Sequence, residues 1–345
     1  MSFAERMRSA VARLRDRLMP FQREGVDFGL AAGGRVLIAD EMGLGKTVQA
    51  IALAASFAED WPLLVVCPAS LRYVWAAELE KWLPELPVSA VHVAKGRADT
   101  GPLGSCRVAI VTYSLLTNGS PIATAVDQAG FRAVVLDESH NIKTHDSQRT
   151  KLLAPVLERS ARLIMLSGTP ALARPVELWP QVAPLAPDVF GTFRAFTERF
   201  CNAHRGRFGW DVSGSSNTDE LHRLLSRVMV RRLKSAVLSQ LPSKRRQIIA
   251  VDPSAQGGAK EDARRAMAAL VAKRVEVSAF FSGGGAGGDF ADARRAHHEA
   301  HALVMEAYQA TGRAKAEGAA TFIADTLAGG AEKVRLASLS YDYYY

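Results

Sequence analysis

Short, continuously apolar runs recur along the first half of the chain, and longer segments with apolar residues spaced by three or four lie between them. The runs predict buried strands at residues 36–39, 63–67, 108–112, 133–137 and 163–167. The segments between them predict helices at residues 47–57, 71–82 and 148–157. Continuous rather than alternating apolar runs are typical of parallel strands. We therefore predict an α/β fold, a parallel sheet with helices on both faces, over residues 35–182.

The rest of the chain has a different pattern. Residues 1–18 carry an apolar repeat that predicts an amphipathic helix; an organelle-targeting helix is the alternative, and Glu5 and Asp16 argue against it. Residues 185–247 are helical, aromatic and then basic, which predicts a helical protrusion. Residues 248–345 predict helices separated by a flexible Gly-rich break at 282–288. The predicted domains are 1–18, 19–184, 185–247 and 248–345.

Composition and charge narrow the class of protein. With 48% hydrophobic and 23% charged residues, the 345-residue chain has ordinary globular values. The three cysteines have no disulfide or metal spacing, which suits a reducing compartment. No apolar run approaches ~18 residues, so no membrane association is predicted. The net charge of +8 equals the charge of one stretch, residues 223–246, which holds eight Lys or Arg and no acid. A basic surplus favours a polyanionic partner such as nucleic acid.

A phosphate-binding turn follows the first predicted strand. Residues 40–47, DEMGLGKT, stand between a strand and a helix, which is the context that a P-loop requires. Gly43 and Gly45 allow a tight turn with N–H groups facing phosphate, Lys46 would reach the β and γ phosphates, and Thr47 would hold Mg²⁺. Asp40 stands where the motif usually has its first glycine. ATP and Mg²⁺ are the predicted ligands.

An acidic motif follows the fourth predicted strand. In DESH, Asp137 would bind Mg²⁺, Glu138 would position the attacking water, and His140 would link the site to neighbouring motifs. The alternative, an acidic cap of the next helix, does not account for the P-loop upstream. We predict Lys46, Asp137 and Glu138 as the catalytic residues.

Two further motifs complete the pattern. The sequence SGTP at residues 167–170 ends another apolar strand and would couple hydrolysis to DNA contact. Gln22, ahead of the P-loop, would hydrogen-bond the adenine edge. A small-molecule kinase with a P-loop would explain neither SGTP nor DESH.

Together these motifs resemble a Swi/Snf-type ATPase of helicase superfamily two. Three segments narrow the resemblance to the HepA-related annealing helicases, which include the HARP type: "LMPFQREGVDFGLAAGGRVLIADEMGLGKTVQAI", "VVLDESHNIK" and "FCNAHRGRFGWDVSGSSNTDEL". These sequences are similar to those of that family and differ from those of nucleosome-sliding remodelers. The resemblance extends from about Leu18 to Gln247. It implies a RecA-like lobe followed by a helical protrusion and a partial, helical second-lobe region.

The resemblance also implies an activity and partners. Such enzymes use ATP to move on double-stranded DNA, anneal separated strands and remodel stalled, forked replication intermediates in the nucleus. A single-strand DNA-binding protein is a further candidate partner, although no motif for one is evident. Segments 68–75 and 112–116 match parts that touch the DNA backbone, which makes Ser70, Arg72 and Thr112 candidate contacts.

The basic stretch has two interpretations. Arg231, Arg232 and Lys234 would contact DNA phosphates or brace two lobes, because phosphate binding needs cations. The alternative is a solvated helix face.

The second-lobe motifs of this class are missing from the printed sequence, and so is the arginine finger that stabilises charge on the transferred phosphate. We therefore expect a chain truncated after the first lobe, with weak ATP binding and slow hydrolysis. The alternative function is a catalytically inactive, single-lobe DNA-binding or regulatory protein.

Overall fold

A computed structural model describes residues 2–101, 103–170, 174–206, 209–240, 258–282 and 290–329. The chain divides into two compact units, residues 1–242 and 243–345. The first unit holds every predicted site residue. No helix within the described ranges is long and apolar enough to cross a membrane.

Seven parallel strands form the central sheet of the first unit, and two more form a separate antiparallel hairpin. In chain order the strands are β1 (Arg35–Ile38), β2 (Leu63–Cys67), β3 (Val91–Val93), β4 (Val108–Thr112), β5 (Ala133–Leu136), β6 (Arg162–Leu166), β7 (His204–Gly206), β8 (Gly209–Asp211) and β9 (Met229–Val230). The sheet order is β3-β4-β2-β5-β6-β1-β9, and β7 pairs with β8. Because β1 lies between β6 and β9, the turn that follows β1 has a strand end on either side of it.

Helices cover the sheet on both faces. They are α1 (Phe3–Asp16), α2 (Pro20–Ala31), α3 (Lys46–Ser56), α4 (Arg72–Trp82), α5 (Pro121–Gln128), α6 (Gln148–Arg159), α7 (Trp179–Val182), α8 (Pro187–Phe190), α9 (Phe193–Phe200) and α10 (Thr218–Leu225). Short 3₁₀ turns occupy residues 58–60, 69–71, 88–90, 139–142, 175–178 and 234–240.

Alternate residues of each strand enter two different cores, because successive side chains of a strand point to opposite faces. Leu37, Val66 and Val134 pack in one core with residues of α5, α6 and α9, whereas Val36, Val65 and Val135 pack in the other with residues of α1, α3 and α4. Both faces are therefore buried, which explains why the strands are continuously apolar in sequence.

The predicted fold class is confirmed. All five predicted strands are present, and Asp137 and Ser167, predicted as last strand residues, lie one position beyond β5 and β6. The sequence pattern did not predict β3, β9 or the hairpin. The predicted domain boundaries stay predictions; β9, inside the predicted protrusion, pairs with β1 of the lobe.

The second unit contains α11 (Ala259–Ser282) and α12 (Phe290–Ala328). The two helices pack through small residues, with Ala266, Ala307 and Ala310 buried between them. Residues 283–289, which include most of the predicted flexible break, lie outside the described residues, as do the basic residues Lys244, Arg245 and Arg246.

Candidate nucleotide and DNA sites

The phosphate-binding turn lies between β1 and α3. Gly43 and Gly45 have φ values of 87° and 75°, the left-handed conformation that glycine adopts without steric cost. Gly45 is the N-cap of α3, and no side chain caps that helix end. The first-turn N–H groups of α3 are thus left for an anion, as at other phosphate-binding helix starts.

Lys46 is buried beside this turn, and its Nζ donates to the carbonyl oxygen of Asp40 over 3.0 Å. Burial lowers the pKa of the Lys46 ammonium, and the charges of Glu138 and Asp137 oppose that effect. The structure therefore brings Lys46 close to both acids of the DESH motif. A buried cation whose charge interacts with two nearby carboxylates is the charge arrangement expected of a site for Mg²⁺ and triphosphate.

Asp137 follows β5 and is almost fully buried. Its Oδ2 accepts the indole N–H of Trp75 over 2.8 Å, and its Oδ1 accepts the backbone N–H of Glu138 over 2.9 Å. Burial raises the pKa of the Asp137 carboxyl, and the bond from Trp75 opposes the rise. Glu138 adopts the left-handed conformation with φ 51°, which is unusual for a residue with a Cβ.

The DESH and SGTP motifs are joined by two sets of hydrogen bonds. The Nδ1 of His140 lies 3.2 Å from the Ser167 hydroxyl and 3.2 Å from the Glu138 carboxylate. The Ser139 hydroxyl donates to the buried amide of Gln181 over 2.7 Å, and that amide donates to the Pro170 carbonyl over 2.6 Å. The predicted link from His140 to a neighbouring motif has a contact that supports it.

Gln22 contacts the phosphate-binding turn itself. Its Nε2 donates to the Leu44 carbonyl over 3.1 Å, and its Oε1 accepts the Met19 N–H over 3.0 Å. A carboxamide has two donor hydrogens and two acceptor lone pairs, so one of each is left for an adenine edge. The adenine role of Gln22 stays a prediction.

The residues present fit Mg²⁺. Thr47, half-buried at the start of α3, offers a hydroxyl, and Asp137 offers a carboxylate with a free lone pair on each oxygen. Within the described part of the chain no cluster of three or more His, Cys, Asp or Glu would hold a metal alone. Mg²⁺ bound by one or two protein oxygens together with substrate phosphates needs no such cluster.

The candidate DNA contacts of segments 68–75 and 112–116 have different surroundings. Ser70 is exposed and Arg72 is half-buried, with weak bonds to the carbonyls of Ala94 and Lys95. Thr112 is only 1% exposed, and its hydroxyl lies 3.0 Å from that of Ser114. We therefore do not retain Thr112 as a DNA contact, since its polar group is engaged inside the protein; the exposed Ser114 is the better candidate in this segment.

The candidate DNA contacts that follow β9 also differ in their surroundings. Arg231 is exposed, but Arg232 binds the buried carboxylate of Asp40 with Nε at 2.9 Å and Nη2 at 2.6 Å. Lys234 lies 3.4 Å from the Glu41 carboxylate. Arg232 is thus engaged within the lobe, and we correct its assignment from DNA to the phosphate-binding turn. Roles for Arg231, Lys234, Ser70 and Arg72 at DNA stay predictions.

Sequence reasoning missed three residues that shape the site. Trp75 binds the Asp137 side chain, Tyr113 donates its hydroxyl to the Asp137 carbonyl over 2.9 Å, and Gln181 joins DESH to SGTP. Each bonds to a residue distant in the sequence, at separations of 62, 24 and 42 positions, and no local motif signals such a pairing. Asp40, which stands where the P-loop motif usually has its first glycine, was the one local sign that this turn has a buried charged partner, and that partner is Arg232.

A parallel sheet with a P-loop after one strand and a Mg²⁺-compatible acid after another defines a RecA-like P-loop ATPase lobe. A family model for the SNF2-related domain matches residues 21–259. The chain therefore belongs to the SNF2-related domain family, as the resemblance predicted.

Similar proteins refine the placement. The chain is 49% identical over 245 residues to the DNA annealing helicase and endonuclease ZRANB3 of Mus musculus, covering 70% of this chain and 23% of that protein. The human ZRANB3 protein is 46% identical over 249 residues, with the same coverage. A SWI/SNF-related matrix-associated actin-dependent regulator of chromatin subfamily A-like protein 1 of Xenopus tropicalis is 39% identical over 93% of this chain and 32% of its own length. The chain thus spans a quarter to a third of these relatives.

Solved structures support the fold. The Sulfolobus solfataricus SWI2/SNF2 ATPase core in complex with dsDNA has a TM-score of 0.56 at 22% identity, covering 91% of this chain and 65% of that one. The core domain of the same source has a TM-score of 0.52 at 25% identity, covering 77% and 55%. The predicted RecA-like, SNF2-type fold is confirmed.

Proposed function

We propose that this chain provides the ATP-binding lobe of a DNA-dependent ATPase that anneals DNA strands. The observation that carries the proposal is that the phosphate-binding turn with Lys46, after β1, and the acids Asp137 and Glu138, after β5, lie at the same carboxyl edge of one parallel sheet. A single-lobe DNA-binding or regulatory protein would need no such arrangement.

Each residue of the site has a distinct task. The N–H groups at the start of α3 and the Lys46 ammonium would bind the phosphates, while Thr47 and Asp137 would hold Mg²⁺. Bound Mg²⁺ supplies positive charge that offsets the charge of the β and γ phosphates. Glu138 would orient the attacking water and accept its proton. Through the contact between His140 and Ser167, a change at Glu138 during hydrolysis would be transmitted to the SGTP motif.

Double-stranded and forked DNA are the proposed partners. The relatives named as DNA annealing helicases support DNA as the partner, and so do the exposed Ser70 of segment 68–75 and the exposed Arg231 of the basic stretch. Action at stalled replication forks, a single-strand DNA-binding protein as partner and a nuclear location belong to the same proposal.

The test is phosphate release from ATP by the purified chain with duplex DNA, forked DNA or no DNA, together with annealing of a partly separated fork. We expect release that forked DNA stimulates and that Lys46→Ala abolishes. A flat response with DNA binding retained would instead favour the inactive DNA-binding protein. Sliding of nucleosomes at a rate comparable to fork annealing would point to a remodeler.

A further inference from the structure

Residues 228–240, here named the strap, follow the phosphate-binding turn along its outer edge. The N–H groups of Leu37, Ala39 and Glu41 donate to the carbonyls of Val228, Val230 and Arg232 over 2.7–2.9 Å. This ladder starts in β1 and continues past its end into the turn. The strap is therefore paired with β1 and with the first residues of the phosphate-binding turn.

Side chains reinforce the pairing. The Arg232 and Lys234 N–H groups donate to the carboxylates of Asp40 and Glu41 over 3.0 Å and 2.7 Å. Farther along, the Gln240 side chain accepts the Phe21 N–H, and Val237 packs with Phe21 and Leu44. Two acids of the turn are thus held by the strap.

The centre of this contact is a buried ionic network. Asp40 and Gln49 are fully buried, and Arg232 binds both: its Nη2 lies 2.6 Å from Asp40 Oδ2 and 2.9 Å from Gln49 Oε1. The amide of Gln49 also donates to Asp40 Oδ2 over 3.0 Å. A buried carboxylate needs such partners, because an unpaired buried charge is strongly destabilising.

Asp40 connects the network to the nucleotide site. Its side chain binds Arg232, and its carbonyl accepts the Nζ of Lys46. If Arg232 were removed, the buried Asp40 carboxylate would lose its guanidinium partner, while its charge would still attract the neighbouring Lys46 ammonium. The phosphate-binding lysine would then be drawn away from its substrate.

We propose that Arg232 is a positioning residue for nucleotide: acting through Asp40, it keeps the turn and Lys46 ready for phosphate, so that strap docking and ATP binding strengthen each other. The proposal rests on the function proposed above and adds a regulatory element to its site. Coupling between two binding events is reciprocal, so bound nucleotide must also tighten the strap.

The first experiment measures affinity for a fluorescent ATP analogue with Mg²⁺ in the full chain. We expect Arg232→Met to weaken binding about ten-fold or more, Arg232→Lys to restore part of the loss, and Asp40→Asn with Arg232→Met to lose less than the single changes combined. Arg227→Met, an exposed arginine just before the strap, is the matched control and should bind within about two-fold of the unchanged chain.

The second experiment measures hydrogen exchange of the strap amides with and without nucleotide. If the ion pair of Arg232 were purely structural, nucleotide would not change these exchange rates. Saturating ATP analogue should slow exchange at Arg232 and Lys234 in the unchanged chain and leave it unaltered in Lys46→Ala. If Arg232→Met does not fold, Gly25→Ala tests the same network without changing charge, because its methyl group would overlap the Gln49 side chain and press on Arg232.

The outcomes separate the two proposals. If the unchanged chain binds no nucleotide, the proposed function fails. The positioning role of Arg232 is overturned if the unchanged chain binds nucleotide and Arg232→Met binds it equally well. It is also overturned if nucleotide does not change the hydrogen-exchange rates of the strap amides. In both cases the ATPase proposal stands.

Discussion

The indole N–H of Trp75 donates to the Asp137 carboxylate over 2.8 Å, which joins α4 to the predicted Mg²⁺ ligand. On the other side, Tyr113 donates its hydroxyl to the Asp137 carbonyl. Trp75 ends segment 68–75 and Tyr113 lies in segment 112–116, the two segments predicted to touch DNA. One acid of the proposed ATP site is thus hydrogen-bonded to both segments, so a DNA contact there, if the predictions hold, would lie one residue from the proposed Mg²⁺ ligand.

Trp75→Phe tests the first of these bonds through pH. Burial raises the pKa of Asp137, and the Trp75 bond opposes that rise, so its loss should raise the pKa further. A carboxyl with a higher pKa needs a higher pH to be charged. We therefore expect Mg²⁺-dependent ATP binding to weaken at the acid end of a titration from about pH 5 to about pH 8 and to recover at the alkaline end.

Trp82→Phe is the control for this experiment. The Trp82 indole also donates to a carboxylate, that of Glu78 over 2.7 Å, but on the same helix away from the turn. Its pH profile should match that of the unchanged chain. An identical profile for Trp75→Phe would show that the indole bond has no effect on Asp137.

Gly45→Ala should damage the phosphate-binding turn more than Gly43→Ala. Both glycines have positive φ, so either alanine costs about 1–2 kcal/mol in backbone strain. At Gly45 the new methyl would also overlap Gln22 Nε2, whereas at Gly43 the nearest atoms, in Lys234, are 3.7 Å away. We expect a larger loss of thermal stability and ATP affinity for Gly45→Ala.

Gln22→Ala in the Gly45→Ala background separates strain from overlap. If overlap contributes, the double variant should be more stable than the sum of the two single losses implies. If the losses of stability in the two single variants are strictly additive in the double variant, the turn moves so that the new methyl group does not overlap Gln22.

The central strands were predictable because a parallel sheet buried on both faces requires continuous apolar residues, as in β2 and β4. The two-residue β9 was not, because Met229 and Val230 become a strand only by pairing with β1. The turn at Gly43 and Gly45 and the acid Asp137 are encoded in local motifs. The ion pair of Arg232 is not encoded in a local motif, because its partner Asp40 is 192 positions away. A run of basic residues is also typical of a DNA-binding surface, so the basic stretch alone did not indicate an internal partner.

Asp60→Asn should destabilise the lobe without changing its ligand affinity. The Asp60 carboxylate is mostly buried and accepts Arg162 Nε over 2.8 Å and Arg132 Nη2 over 3.0 Å. Neutralising it leaves two guanidinium groups without their counter-charge, for a loss of about 1–2 kcal/mol in the free energy of unfolding.

Denaturant unfolding measures this loss, and Asp127→Asn provides the comparison. Asp127 pairs with Arg159 at the surface, where both side chains are about half exposed, so its loss should cost less than about 0.5 kcal/mol. Equal effects of the two changes would contradict a special contribution from the buried pair.

Ser167→Ala should uncouple DNA from hydrolysis while leaving ATP binding intact. The buried Ser167 hydroxyl contacts His140, which in turn contacts Glu138, but Ser167 has no bond to Lys46 or Thr47 among the described contacts. We expect DNA-stimulated phosphate release to fall about ten-fold, with ATP affinity changed less than about two-fold. Ser160→Ala removes a comparable buried hydroxyl, at the opposite end of β6, and should leave the stimulation unchanged. Equal stimulation in both variants would show that the His140 contact to Ser167 does not carry the signal, and a matching loss of ATP affinity in Ser167→Ala would place its effect in binding instead.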